Sequence, residues 1–234
     1  MTSARRLIWL TLPLLAACAG SPSPPDWRMN AADLLERYQQ RWLEGDSRTA
    51  EINFAKARSE LARTGRLDLA ARAELIGCAT RLASLDLAPC TAYDALSADA
   101  TADEAAYARF LAGDWQGLDA GRIPAHYTDL VRASDAAGRN RAAQAIADPA
   151  ARLIASALLL KAGEIAPETI GLAGRTASEQ GWRRPLLAWL QVSAQRAEAA
   201  GDSAALAKLK RQMELVTGSR STLSQPGSTP PNSP

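Results

Sequence analysis

The sequence predicts an all-α protein built of stacked antiparallel helical hairpins, with a compact irregular helical bundle as the alternative packing. Three observations carry this expectation. Alanine and leucine dominate a chain of 234 residues that holds only eight isoleucines and three valines, with aromatics at 5%. Both are strong helix formers, whereas sheets draw on β-branched and aromatic side chains. Helix caps and glycine stops recur between residues 30 and 217, and the apolar residues between them fall at helical spacing.

Asn30 is placed to cap a first helix whose Leu34, Leu35, Tyr38 and Trp42 share one face, with Gly45 as its stop. Asp46 or Ser47 caps the second, where Ala50, Phe54, Ala57 and Leu61 form the buried stripe and Gly65 closes it. A third helix runs from about Leu67 to Ser84. Thr101-Ala-Asp-Glu104 is a capping box, in which the hydroxyl satisfies one free N–H and the carboxylate reaches back to another. Its helix carries Tyr107, Phe110 and Leu111 and stops at Gly113. Asp148-Pro149 sets a cap before a proline at the first helical position, and the run through Leu153, Ile154 and Leu158 to Leu160 closes at Gly163. Further stops fall at Gly181 and Gly201, and Ser203 opens a last helix towards Val216. From Trp115 to Ile146 the pattern is interrupted by Gly117, Gly121, Pro124 and Gly138.

The stops at Gly45 and Gly65 lie 20 residues apart, and those at Gly163, Gly181 and Gly201 lie 18 and 20 apart. A helix plus its turn thus takes about 19 residues, which falls in the range of helical solenoids. The segments Leu186 to Asp202, with the helix after it, and Ala31 to Arg63 resemble tetratricopeptide hairpins. The likeness is loose, because the fixed Trp, Gly, Tyr and Pro positions of that repeat are not present together.

The N-terminus carries an address. Arg5 and Arg6 precede the apolar run Leu7-Ile-Trp-Leu-Thr-Leu-Pro-Leu-Leu-Ala-Ala17. That run is shorter than the ~20 residues needed to span a bilayer core, and a basic stretch before a short apolar one is the pattern of an export signal. Leu15-Ala16-Ala17-Cys18-Ala19-Gly20 resembles the lipobox of bacterial lipoproteins. The resemblance implies that residues 1–17 are removed as a signal peptide and that Cys18 is acylated as the mature N-terminus and membrane anchor. In that family Asp after the cysteine retains the protein in the inner membrane. Ala19 stands there instead, which implies the periplasmic face of an outer membrane. More than one acyl chain on a single residue gives stable anchoring.

Loss of residues 1–17 leaves 25 basic against 25 acidic residues, so steering towards nucleic acid has no electrostatic basis. Residues 18–29 read as a Pro/Ser-rich tether, 30–217 as the helical domain, and 218–234 as a disordered tail with almost no apolar side chains.

Chemistry-bearing residues are few. Cys78 and Cys90 form an even pair, which in an oxidising periplasm predicts a disulfide across a helix and its following turn. No Cys-x-x-Cys motif or nearby histidine favours a metal or redox role, and no cofactor-binding fingerprint is present. His126 is the sole histidine, in Ile123-Pro-Ala-His-Tyr-Thr, without a Gly-x-Ser-x-Gly elbow to partner it. It reads as a partly buried polar residue of a connecting segment. Trp42 and Trp189 lie on apolar stripes and read as core. Gly181-Trp182-Arg183-Arg184-Pro185 is the most distinctive patch. Trp182, Arg183 and Arg184 are the candidate partner-binding residues, since Trp and Arg dominate interface energetics. The alternative has Trp182 covering the end of a hairpin.

The expected function is therefore that of an outer-membrane lipoprotein, a non-enzymatic periplasmic scaffold or assembly factor that binds a periplasmic or outer-membrane protein. The rival expectation is a peptidoglycan-acting enzyme, since envelope lytic transglycosylases also carry helical scaffolds and a glycosidase needs only two placed carboxylates.

Overall fold

A computed structural model describes residues 25–218, and Cys18, the stretch expected to be a signal peptide and residues 219–234 lie outside them. The described residues are all-α, with no strand among them. Eleven helices run in chain order: α1 Asp26–Glu44, α2 Ser47–Ala62, α3 Leu67–Leu82, α4 Thr91–Asp94, α5 Ala102–Ala112, α6 Thr128–Arg132, α7 Ala136–Ala145, α8 Pro149–Lys161, α9 Pro167–Glu179, α10 Arg183–Ala199 and α11 Ser203–Thr217.

Most stops and caps stand where the sequence places them. Gly45 ends α1 in the left-handed region at φ 95°, Asp46 accepts from the Thr49 amide, and the two-residue connection makes α1–α2 an antiparallel hairpin. Ala50, Phe54, Ala57 and Leu61 are all buried on α2. The capping box closes at both Thr101 and Glu104, and Asp148 caps α8 through the Ala151 amide. One start is corrected: α1 begins at Asp26, four residues before Asn30, so residues 26–29 belong to the helix rather than to a tether. Pro25 precedes a first turn whose Asp26 favours the helix dipole, and Trp27 packs on the cluster of Ala31, Leu61 and Ala73. That buried area holds the extra turn in place.

The interrupted stretch resolves into short pieces. A 3₁₀ turn over Ala125–Tyr127 leads into α6, and Asp135 caps α7 by accepting from the Gly138 amide at 2.6 Å. Gly138 thus sits in a first turn, where it breaks nothing.

α3 and α8 form the centre. Nine of the 13 residues of α8 are buried, so this helix has no solvated face and is packed from several sides. α3 touches α1, α2, α5 and α8. Gly77 lets α2 approach α3, because a Cβ there would stand 2.9 Å from Phe54 Cζ. The two helices are also stapled by Arg58, which donates twice to Glu74 at 2.6 Å, with Glu74 only 6% exposed. At the C-terminal end α9, α10 and α11 follow one another, and α10 returns to touch α1. A solenoid joins each unit only to its neighbours. Here the α1–α10 and α3–α8 contacts close the array around a shared core.

Cys78 on α3 and Cys90, which precedes α4, form the disulfide, with Cα atoms 5.8 Å apart. It ties the turn after α3 back onto that helix. Leu85 in this turn holds φ 61°, an uncommon conformation for leucine, while its side chain packs against the main core.

Candidate functional site

A groove runs over the contact between α1 and α3, and a second cavity adjoins it towards the head of α8. The groove is a cavity of about 610 Å³ bounded by Trp27, Leu35, Leu61, Leu69 and Ala73, with Arg28, Glu36, Arg66 and Asp68 at the rim. The adjoining inner cavity, about 500 Å³, lies between α3, α5, the 3₁₀ turn and α8. Gln39, Arg72 and Ile76 line both, so the two meet there. Helical spacing explains the placement: Leu69, Arg72, Ala73 and Ile76 recur every three or four residues on one face of α3.

The inner cavity has an aliphatic floor of Leu75, Ile76 and Ile154 and a polar wall. Arg72 pairs with the Glu104 carboxylate at 2.5 Å, and Glu104 is 4% exposed. Burial pushes the Glu104 pKa up, but the Thr101 hydroxyl and Arg72 outweigh it and hold it below the ordinary value. Arg122 pairs with Asp103 at 3.1 Å. The Tyr107 and Tyr127 rings stack with centroids 6.4 Å apart, and burial drives the Tyr107 hydroxyl up to about 12. Tyr127 is raised further, by burial first and then by Tyr107. Both phenols therefore stay protonated across physiological pH. His126 sits edge-on to Tyr127 at 4.1 Å between ring centres. Loss of hydration lowers its pKa, against the opposing pull of the Asp148 carboxylate. Such a wall can hold a polar group by neutral and charge-assisted hydrogen bonds over an apolar seat.

The residues singled out by sequence lie elsewhere, except His126, which borders the inner cavity. Trp182, Arg183 and Arg184 do not form one exposed patch. Trp182 is half-buried against the main core, at the head of α10. Arg183 is exposed and lies beside Gly45, and Arg184 is committed to the fold. The Arg184 Nε donates to the Trp42 carbonyl at 2.7 Å and its guanidinium lies over the Trp42 ring at 4.2 Å. Loss of hydration lowers its pKa from the usual arginine value. Trp189 is fully buried, whereas Trp42 is only partly so. Sequence reasoning placed Glu104, Tyr107 and Asp148 as caps or core. The signal that joins them is that two strong caps, Thr101 to Glu104 and Asp148, begin helices that pack on the same α3. Among the described residues no group of three or more His, Cys, Asp or Glu side chains is placed to hold a metal ion, and no helix is long and apolar enough to cross a membrane.

The chain matches no protein-family model, and comparison with curated proteins and with solved structures likewise gives no match.

Proposed function

We propose that this chain is a lipid-anchored envelope protein, held to the outer membrane by Cys18, that binds an extended segment of a partner protein without catalysing a reaction. The observation that carries the binding reading is the α1–α3 groove with the second cavity that adjoins it at Gln39, Arg72 and Ile76. An apolar floor, a charged rim and a few convergent polar groups are features of a ligand cleft, and in an open groove they suit side chains along a peptide. The address rests on the Leu15-Ala16-Ala17-Cys18 motif and is supported by the Cys78–Cys90 disulfide, which suits an oxidising compartment. Anchoring would concentrate the groove near membrane-bound machinery.

Screening the purified full-length chain against an array of extended peptides tests this reading. Leu69 is half-buried on the groove floor, so Leu69→Lys obstructs the groove while the long stem can still reach solvent. A defined subset of peptides should bind wild type and lose at least tenfold in affinity to Leu69→Lys, with helicity kept and only a small fall in melting temperature, since Leu69 also packs on Ala31, Leu61 and Ala73. Absence of binding, or binding indifferent to Leu69→Lys, would overturn the reading.

A further inference from the structure

The α1–α3 groove opens where the described chain begins. Pro25 lines it beside Trp27 and Arg28, and Cys18 stands seven residues earlier in the sequence. Seven extended residues reach at most ~25 Å. From Pro25 to Gln39 the groove follows α1 for roughly 21 Å at the helical rise. One lipid tail spans one leaflet, about half of the ~30 Å hydrocarbon core of a bilayer. A tail carried by Cys18 can therefore reach this groove and lie within it.

The floor suits hydrocarbon. Trp27, Leu35 and Leu69 pack on the buried Ala31, Leu61 and Ala73, yet each keeps part of its own surface open. Charged side chains stand at the rim, where Arg66 pairs with Asp68, and at the inner end, where Arg72 pairs with Glu104. Both walls are helices whose backbone groups are bonded internally, so the floor offers no partner to the main chain of a peptide. A peptide can lower side chains into it from the rim. An acyl tail has no polar group to satisfy and can fill the floor itself.

We infer that, away from a bilayer, the groove holds one acyl chain of Cys18 of the same molecule, which closes it to a partner segment until the anchor inserts. The inference rests on Cys18 being acylated. Tethering concentrates the tail at the groove, and water drives its carbons under cover. A bilayer gives the same cover to every chain at once, so insertion empties the groove.

Cys18 is the one cysteine outside the Cys78–Cys90 disulfide, which allows a direct test. Unacylated full-length chain, on a Trp9→Phe background, is alkylated at Cys18 with hexadecyl maleimide, plain or brominated along the tail. Bromine quenches an indole that it touches, and Trp27 is the only tryptophan lining the groove. The brominated tail should quench relative to the plain one, equally after tenfold dilution, and phospholipid vesicles should relieve it. Trp27→Phe should remove the difference, and Leu69→Lys should remove it with Trp27 still present. Equal fluorescence from both tails, or a difference that survives either substitution or the vesicles or is lost on dilution, would overturn the inference. A peptide captured by the chain capped with ethyl maleimide should bind the hexadecyl form at least tenfold more weakly until vesicles are added. Capture without quenching removes the inference and leaves the peptide site. Quenching without capture leaves the tail seat and removes the peptide site. Absence of lipid on Cys18 in cells would remove the inference whatever the groove binds.

Discussion

Arg184 and its neighbour Arg183 show how two identical side chains in sequence take different tasks. Arg184 bridges residues 142 positions apart in the chain through its bond to the Trp42 carbonyl, and it stacks on that indole. A hydrogen bond from a charged donor contributes about 1.5–3 kcal/mol, and removing it leaves a half-buried carbonyl unpaired. Arg184→Ala should therefore lower the melting temperature by roughly 4–10 °C at this chain length. Arg183→Ala should change it by about 1–2 °C or less, as exposed substitutions do. Equal effects in paired calorimetry would contradict this assignment. Nothing in Trp182-Arg183-Arg184 distinguishes the two arginines, because the partner of Arg184 is supplied by a turn at the opposite end of the sequence.

His126 permits a second prediction at the same scale. His126 is exposed rather than partly buried, yet the loss of hydration where its ring faces the neighbouring residues disfavours the imidazolium and sets its folded-state pKa below the unfolded value. The unfolded chain then takes up the proton first, so stability falls as pH drops below about 6.5, until the folded-state pKa is also passed. Wild type should lose more melting temperature between pH 7.5 and 5.5 than His126→Gln, which has no titrating ring. Parallel losses in the two proteins would show that other groups set the acid limb.

At the level of elements, local rules locate most helix ends and tertiary contacts decide the remainder. The capping box of α5 is complete in geometry as in sequence. Thr101→Ala should cost about 1 kcal/mol, or roughly 2–4 °C. Thr101→Ser, which keeps the hydroxyl, should restore most of it, and failure of that rescue would point to lost packing instead. The start of α1 was not legible, because Asn30 is a good cap by type. Burial of Trp27 against Ala31, Leu61 and Ala73 extends the helix back to Asp26. The break from 115 to 146 was visible as scattered Gly and Pro, but its short helices are fixed by contacts such as Asn140 with Thr169. The disulfide belongs to this scale too. It closes a sequence separation of 12, for which the chain-entropy model gives about 3 kcal/mol. Replacing Cys78 and Cys90 together with alanine should then lower the melting temperature by roughly 6–12 °C. An unchanged midpoint would show that the turn after α3 is already held by Leu85 and Tyr93 in the core.

For the whole molecule, the helical class followed from composition and punctuation, while the closure around α3 and α8 did not. A period near 19 residues describes the hairpins at both ends, yet it says nothing about α10 meeting α1. The groove was hidden for the same reason: Leu69 and Ile76 lie on α3, whereas Tyr107, His126 and Asp148 come from three later segments that topology brings together.

The central claim is that the anchored protein engages its partner along this groove. Site-specific photocrosslinking in cells tests it most directly, with the photoreactive residue at Leu69 on the groove floor or at Leu215, which is 82% exposed on α11. The groove position should give one discrete adduct in the membrane fraction, lost when Cys18→Ser releases the protein from the membrane, and Leu215 should give none. Matching adducts from both positions, or none from Leu69 in the anchored protein, would contradict it.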